Sequence, residues 1–244
     1  MTWTELVMSA APGRGDRPAV TDVRTGEVLT YATFVKRVTH VAGGLRRRGL
    51  RYGERVLVDL PPGAAMACAV HAVAWAGGVV VMGGRAATRL AILQRGRDME
   101  AQEVITYEPT PGFTRFIDLF GDHTVEFGPL AGPALTLDGD RVLTHEELAG
   151  DLRRVAGRMV IGKDDVVLLA VTDRFKALRA MDMALTSGAH VIVAHDPTLI
   201  GCRVLAGEHN ATLVVAPYDL ARRLLGDPLL RVIDERAFVS SLAL

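Results

Sequence analysis

The order of apolar and polar residues predicts a strand, helix, strand unit in the first third of the chain. Apolar residues recur at helical spacing over 32–48, Thr30 is suited to cap the start of that helix, and Gly49 ends it. An apolar strand over 56–60, a helix of small apolar residues and a second apolar strand over 79–82 follow. Uninterrupted apolar strands are typical of parallel sheets covered on both faces, so the pattern predicts an α/β fold.

The same pattern occurs twice along the chain. The spacing is 114 residues at the first motif (Leu29 to Leu143) and 111 residues near the last (Gly77 to Gly188). We therefore expect two similar parallel-sheet α/β subdomains packed through helices. The matching segments are Leu29-Thr30-Tyr31 with Leu143-Thr144-His145, Val41-Ala42-Gly43 with Val155-Ala156-Gly157, 55–60 with 165–170, Ala76-Gly77-Gly78 with Ser187-Gly188-Ala189, and Val79-Val80-Val81 with Val191-Ile192-Val193.

Proline and glycine mark the boundary between the two copies. The stretch 108–133 contains four prolines and four glycines. It separates a first α/β repeat over 1–108 from a second over 134–244, with 109–133 as the linker. The remaining predicted elements are a helix over 87–98, a strand over 103–107, a helix over 199–209, a strand over 212–216, a helix over 218–225 and a strand over 230–233.

Charge and cysteine content exclude several classes of partner. Lys plus Arg and Asp plus Glu both number 28, so no net field attracts nucleic acid or anionic lipid. Cys68 and Cys202 lack CxxC spacing and are expected to be reduced. His71 and Gly77-Gly78 interrupt the apolar stretch 64–84, and the N-terminus lacks the pattern of a secretory signal. We expect a cytoplasmic protein that contacts neither membrane nor nucleic acid.

Several short motifs follow one another in an order that carries a family resemblance. They are Leu29-Thr30-Tyr31, Val41-Ala42-Gly43-Gly44-Leu45, Gly53-Glu54-Arg55-Val56, Leu60-Pro61, Ala76-Gly77-Gly78-Val79, Leu143-Thr144-His145, Ala184-Leu185-Thr186-Ser187-Gly188-Ala189 and Val215-Ala216-Pro217. In this order they resemble the adenylate-forming (AMP-binding) superfamily of acyl-CoA ligases, coumarate-CoA-ligase-like enzymes and adenylation domains of peptide synthetases. The resemblance covers nearly the whole chain but only about the first half of such an enzyme. It implies the large N-terminal domain of that fold without the small C-terminal domain.

The phosphate loop of the family has no counterpart in this sequence. The resemblance implies a Ser/Thr/Gly-rich loop ending in Pro-Lys-Gly just before Leu143, where backbone amides and a lysine hold the ATP phosphates. This chain has Asp138-Gly139-Asp140 there, and two aspartates repel a triphosphate. The segment 136–142 instead matches 22–28 of the first copy, which predicts a turn between short strands with glycine at a position of positive φ.

Other nucleotide-handling motifs of the family differ as well. The family's apolar-Pro-Leu-Phe-His stretch, which gates the acyl pocket, is here 171–176, with Phe175 retained and Lys176 in place of the histidine. The Gly-Gly-Ala turn is replaced by 234–238, which lacks glycine. The adenine-binding, magnesium-binding, ribose-binding and catalytic-lysine motifs of the family do not occur. We therefore expect no catalytic residues, no cofactor and no metal.

Four residues are candidates for ligand binding. Asp173, Arg174, Phe175 and Lys176 follow the carboxyl end of the predicted strand 165–171, where open α/β sheets place ligands. Arg174 and Lys176 can hold a carboxylate or a phosphate, and the alternative is a solvated turn before a helix.

Histidines provide weaker candidates. The spacing of His190, His195 and Asp196 fits metal ligation only loosely, and no further ligand completes a set, so we favour no metal. His71 is expected to be a satisfied histidine of the core or of an interface.

Two hypotheses from different classes follow. The first is a non-catalytic relative that binds a small acyl or aromatic ligand, or docks on a partner such as a full ligase or a carrier protein. The second is an enzyme, either half of a split acyl-CoA or adenylating ligase or one with a reassigned site at 173–176. Because every nucleotide-handling motif of the family is lost while the predicted strands contain no polar intrusions, we favour the first. Many apolar residues over 224–244 further predict a homodimer.

Overall fold

The structure, a computed structural model, describes residues 1–82, 89–121, 132–137, 141–195, 197–226 and 230–238. The chain divides into two compact units, each built around one six-stranded sheet. The first unit comprises Met1–Leu6, Phe34–Pro61 and Ala65–Ala149, and the second comprises Val7–Thr33, Pro62–Ala64 and Gly150–Leu244.

The helices and strands alternate along most of the chain. The α-helices are α1 (Trp3–Met8), α2 (Tyr31–Arg47), α3 (Ala64–Trp75), α4 (Arg89–Asp98), α5 (His145–Ala156), α6 (Arg174–Ser187), α7 (Leu199–Glu208) and α8 (Tyr218–Leu224). The strands are β1 (Pro18–Asp22), β2 (Glu27–Thr30), β3 (Arg55–Asp59), β4 (Val79–Met82), β5 (Ala101–Thr106), β6 (Thr114–Arg115), β7 (Pro133–Leu137), β8 (Arg141–Thr144), β9 (Val166–Leu169), β10 (His190–Val193), β11 (Leu213–Ala216) and β12 (Arg231–Asp234). Short 3-10 helices lie at Ala11–Gly13, Phe116–Leu119 and Glu235–Phe238.

The two sheets have corresponding strand orders. The first sheet runs β6-β5-β3-β4-β7-β8 and the second runs β12-β11-β9-β10-β1-β2. In each sheet the neighbouring strands are parallel except for the terminal hairpin, β7 with β8 or β1 with β2. The α/β fold is therefore as expected, with mixed sheets in place of purely parallel ones.

Many predicted elements are confirmed at their expected positions. The strand over 79–82 is β4, and the helix over 32–48 is α2, where the Thr30 hydroxyl accepts a hydrogen bond from Thr33 N at 3.1 Å. Of the two predicted hairpins, 22–28 has Gly26 at φ 71°. The other is flanked by the antiparallel strands β7 and β8, while residues 138–140 at its turn lie outside the described part of the chain.

Each hairpin belongs to the sheet of the other sequence repeat. Strand β1 pairs in parallel with β10, with Val20 opposite Val191, and β7 pairs in parallel with β4, with Leu135 opposite Val80. The spatial units consequently do not follow the expected division into 1–108 and 134–244. The physical reason is that parallel partners are joined by distant segments, so local patterning does not reveal them.

The expected linker also contains regular structure. Within 109–133, strand β6 pairs with β5, and the 3-10 helix that follows buries Phe116 and Leu119. A Cβ atom on Gly44 of α2 would lie 1.9 Å from the Leu119 carbonyl oxygen. Glycine at this position therefore permits the close approach of α2 to the 3-10 helix within the first unit.

Buried apolar side chains form a core in each unit. In the second unit, side chains of the sheet such as Leu168, Ile192 and Val214 pack against Cys202 of α7 and Leu224 of α8. In the first unit, α3 is buried along almost its whole length. None of the described helices is long and apolar enough to cross a membrane.

Candidate ligand site at the carboxyl edge of the second sheet

The second sheet changes winding direction at β9. The chain passes from β9 to β10 on one side and then returns to β11 on the other side of β9. Ligands of open α/β sheets bind outside the carboxyl ends of the strands at such a switch point. The segments that follow β9, β11 and β12 at this edge contain the predicted residues 173–176, Tyr218 and the turn 234–236. This edge is therefore the candidate ligand site.

Asp173 has a structural role at this edge. Its backbone is extended, and its side-chain oxygen Oδ1 accepts a hydrogen bond from Lys176 N at 2.9 Å, which makes it the N-cap of α6. An N-cap carboxylate satisfies one of the unpaired amides at the helix start and interacts favourably with the helix dipole. The Asp173 carboxylate thus stabilises the helix that carries the other three candidates.

Lys176 is held by a nearby carboxylate. Its ammonium Nζ lies 2.7 Å from Glu235 Oε1, and the two side chains are 29% and 11% exposed. The hydrogen bond to Glu235 raises the pKa of Lys176 above its usual value, so this lysine remains charged at neutral pH. The pair balances its own charge, and binding of a phosphate by Lys176 would compete with Glu235.

A second ion pair lies in the turn after β12. Arg236 Nε donates to Asp234 Oδ2 at 2.9 Å, and its guanidinium lies 4.5 Å from the centre of the Tyr218 ring. The hydrogen bond from Arg236 lowers the pKa of the Asp234 carboxyl below its usual value. Arg236 and Asp234 thus form an ion pair beside Tyr218 at the edge of the sheet, and the guanidinium of Arg222 also lies 5.6 Å from the centre of that ring.

The structure places the four predicted residues together at the first turn of α6. Arg174, Phe175 and Lys176 are half-buried, and Asp173 is exposed. Sequence reasoning missed Tyr218 and the partner role of Glu235. Both residues follow closely after a predicted strand, which could have marked them as site candidates. That position does not reveal that Glu235 contacts Lys176, 59 positions earlier.

A buried charged cluster lies farther along α6. Arg179 Nη2 is 2.7 Å from Asp151 Oδ2 of α5, and Arg179 Nη1 is 3.6 Å from Asp182 Oδ2. All three side chains are at most 2% exposed. The sequence analysis did not identify this cluster, because charged residues are rarely buried completely. Its contacts join α5 to α6 within the second unit and so help to fix the helix that presents the candidate site.

The histidine candidates take part in structural hydrogen bonds. His190 Nε2 lies 2.8 Å from the Thr21 hydroxyl, and burial lowers the pKa of His190. His195 is exposed, and Asp196 lies outside the described residues. His71 is fully buried, with its Nδ1 3.3 Å from the Thr4 hydroxyl, which confirms the expectation of a satisfied histidine.

Comparison with known proteins finds similarity over part of the chain. Residues 8–126 match the family model described as "AMP-binding enzyme". The chain is 31% identical over 107 residues to 4-coumarate–CoA ligase 4 of Arabidopsis thaliana, an alignment that covers 42% of this chain and 19% of that enzyme. It is 36% identical over 100 residues to acetyl-coenzyme A synthetase of Pasteurella multocida, covering 39% of this chain and 15% of that enzyme. Each alignment thus spans less than a fifth of the curated relative.

Solved structures share the fold over nearly the whole chain. MbtA of Mycobacterium smegmatis superposes with a TM-score of 0.82 at 23% identity, covering 98% of this chain and 54% of MbtA. The N-terminal subdomain of NpsA from Klebsiella oxytoca superposes with a TM-score of 0.77 at 17% identity, covering 93% of this chain and 62% of the subdomain. The chain therefore shares the fold of these proteins, and its residues 8–126 are similar to the AMP-binding enzymes. It corresponds to the N-terminal part of their fold, which confirms the resemblance and the fold class expected from the sequence.

Proposed function

We propose that this protein acts without adenylating a substrate, as a relative of the adenylate-forming ligases that binds a small aromatic or acyl ligand. Docking on a partner protein, such as a full ligase or a carrier protein, is a second mode of action in this proposal. No cofactor and no catalytic residue form part of it.

The observation that carries the proposal is the pairing of charges at the carboxyl edge of the second sheet. Lys176 is paired with Glu235, Arg236 with Asp234, and Asp173 caps α6. An ATP site needs donors and cations that are available to the phosphates. In these two pairs each cation is already neutralised by a carboxylate. The sequence also has Asp138 and Asp140 at the position of the family's phosphate loop.

An aromatic acyl group is the ligand class that the site favours. Phe175 and Tyr218 bring aromatic rings to the edge, beside the ion pairs Lys176–Glu235 and Arg236–Asp234. The similar N-terminal subdomain of NpsA has been solved in complex with 3-hydroxybenzoyl-AMSN and with anthranilyl-AMSN. These complexes support an aromatic acyl ligand for a protein with this fold.

Calorimetry tests the proposal directly. We expect 3-hydroxybenzoate or anthranilate to bind to the protein, and Mg-ATP to show no binding tighter than millimolar. The variants Phe175→Ala and Tyr218→Ala should weaken binding of the aromatic acid about tenfold or more, whereas Tyr52→Ala, which removes an exposed ring of the first unit, should not. Binding of Mg-ATP at micromolar concentration would overturn the proposal.

The alternative is an enzyme. It would be either a ligase completed by a second polypeptide or an enzyme with a reassigned site at residues 173–176. A carboxylate-dependent pyrophosphate exchange assay, with the chain alone and with candidate partners, distinguishes the two. Exchange only in the presence of a partner indicates a split ligase. Activity of another kind that is lost in Arg174→Ala with Lys176→Ala, while the fold is retained, indicates the reassigned site.

A cytoplasmic location, a homodimer and an internal duplication with repeats at 1–108 and 134–244 are further parts of this proposal. The corresponding strand orders of the two sheets support the duplication. For the homodimer, the expected contact region 224–244 offers less free surface than its sequence suggests. Leu224 and Phe238 are buried inside the second unit, and Val232 packs against the same core as Leu224. Residues 227–229 and 239–244 of that region lie outside the described part of the chain.

A further inference from the structure

Helix α7 has one buried face and one exposed apolar face. The Thr198 hydroxyl caps its start by accepting a hydrogen bond from Gly201 N at 3.0 Å. Cys202 and Ala206 face the core of the second unit. On the opposite side, Ile200 is 76% exposed and Val204 is 50% exposed. Two large branched side chains one helical turn apart thus face solvent.

The exposed face has the spacing of a two-stranded coiled-coil seam. Ile200, Val204 and Gly207 follow one another at intervals of four and three residues, which corresponds to positions d, a and d of a heptad. Arg203 and Glu208 then occupy positions g and e on the two flanks of this seam, and both side chains are exposed. In a parallel pair of helices, the residue at g contacts the residue at e of the following heptad, five positions later in the other helix.

We propose that this face of α7 is the contact with a second copy of the chain. The two α7 helices lie parallel about a two-fold axis, with Ile200 and Val204 in the seam. Arg203 of each protomer pairs with Glu208 of the partner subunit, so the two-fold axis generates the same ion pair twice. This proposal is independent of ligand binding at the carboxyl edge of the sheet.

The balance of charge on the helix is the reason for choosing a second copy as the occupant. Each protomer supplies one cation and one anion at a separation of five residues, so the surface is complementary to itself in the parallel orientation. An antiparallel pair would place Arg203 beside the same arginine of the other copy. At Gly207, the position of a Cβ atom has no neighbouring atom within 4 Å, so the seam has room there for a side chain of the facing helix.

The size of the face sets the expected strength. Ten residues of helix extend over about 15 Å, and such a seam is far smaller than the roughly 800 Å² per partner of a standard stable interface. We therefore expect a dimer that forms only at micromolar or higher concentrations of the protein. The dimer should dissociate at high salt, because its flanking ion pairs are exposed.

Charge exchange tests the pairing. In sedimentation velocity, the wild type should form dimers at high micromolar concentration. Arg203→Glu and Glu208→Arg should each be monomeric there, because each places like charges opposite each other in both pairs. Mixing the two single variants should restore the dimer, since both pairs of the mixed dimer then have opposite charges. The control Arg223→Glu, an exposed arginine of α8, should leave the dimer unchanged.

Each other outcome contradicts the proposal. A monomeric wild type at these concentrations overturns it, as does a dimer that persists in both single variants. Monomeric single variants that do not recombine on mixing overturn the parallel pairing. Val204→Glu gives an independent check through the seam itself, and circular dichroism of all variants distinguishes loss of association from loss of fold.

Discussion

Two buried polar clusters, one from each unit, differ in how their charge is accommodated in the core. In the first unit, the buried His71 and His145 lie with Thr4 inside an apolar core. Burial is the main reason that the pKa of His145 is lowered to about 4, and this imidazole is therefore neutral at pH 7. In the second unit, the carboxylates of Asp151 and Asp182 are buried with Arg179.

The difference shows two ways of placing polar groups in a core. An imidazole can give up its proton and be buried uncharged, so the free energy of unfolding depends on pH. Two buried carboxylates are stabilised by the guanidinium next to them, so the free energy of unfolding depends on the presence of that arginine. The histidine cluster of the first unit should accordingly be sensitive to acid, as should the separate half-buried His190 of the second unit, whereas the carboxylate cluster should be sensitive to the loss of Arg179.

Replacement of Arg179 should have the largest effect. Arg179→Ala leaves two buried carboxylates without their cation, and we expect the free energy of unfolding in urea to fall by about 3 to 5 kcal/mol. As a matched control, Arg154→Ala removes an arginine that is half-exposed and 3.5 Å from Asp151, and should cost less than about 1 kcal/mol. Equal effects of the two substitutions would contradict the distinction between the clusters.

Acid should destabilise the first cluster. His145 titrates near 6.5 when unfolded and at about 4 when folded, so the unfolded chain binds more protons between these values. Stability is therefore full above about pH 6.5 and is lost as the pH falls towards 4, by about 3 kcal/mol in total. Urea titrations at pH 7, 5.5 and 4.5 measure this loss.

A variant identifies the group responsible for the acid sensitivity. His145→Phe should reduce the dependence on pH between these values, with the half-buried His190 contributing part of what remains, whereas His195→Asn, which removes an exposed histidine, should leave it unchanged. If the wild type and His145→Phe show the same slope, the histidine of the first cluster does not cause the effect.

The hydroxyl next to His71 should contribute less. Thr4→Val keeps the shape of the side chain but leaves the imidazole of His71 without its 3.3 Å contact to the Thr4 hydroxyl. A lost hydrogen bond to a buried group costs about 1 to 3 kcal/mol, and chemical denaturation at pH 7 measures it. Thr172→Val, at an exposed threonine, is the control and should be close to neutral. A neutral Thr4→Val would show that His71 does not depend on this contact.

The half-exposed pair at the candidate site should show the smallest effect. Lys176→Met removes the cation next to Glu235, but solvent screens the pair, so we expect a loss of about 0.5 to 1 kcal/mol by urea denaturation. If Lys176→Met lowered the free energy of unfolding as much as Arg179→Ala, the pair would be as strongly stabilising as the buried cluster, which would contradict this expectation.

Local signals decided which parts of this structure could be predicted. The four apolar residues of β4 follow Gly77-Gly78, and Thr30 caps α2, so both elements were found with accurate bounds. The same reasoning located residues 173–176 at the start of α6. It did not find the pairing of Lys176 with Glu235 or the burial of Arg179, because both depend on contacts between residues far apart in the sequence.

The exchanged hairpins have a consequence for synthesis on the ribosome. Strand β1 ends at Asp22, but its parallel neighbour β10 begins only at His190. At about 5 to 20 residues per second, the N-terminal hairpin waits roughly 10 to 30 seconds for its partner strand to be made. During that time β1 presents an unpaired edge, which can pair with strands of other chains. The second sheet can therefore join β1 to its parallel strands only late in translation, after β9 and β10 have been made.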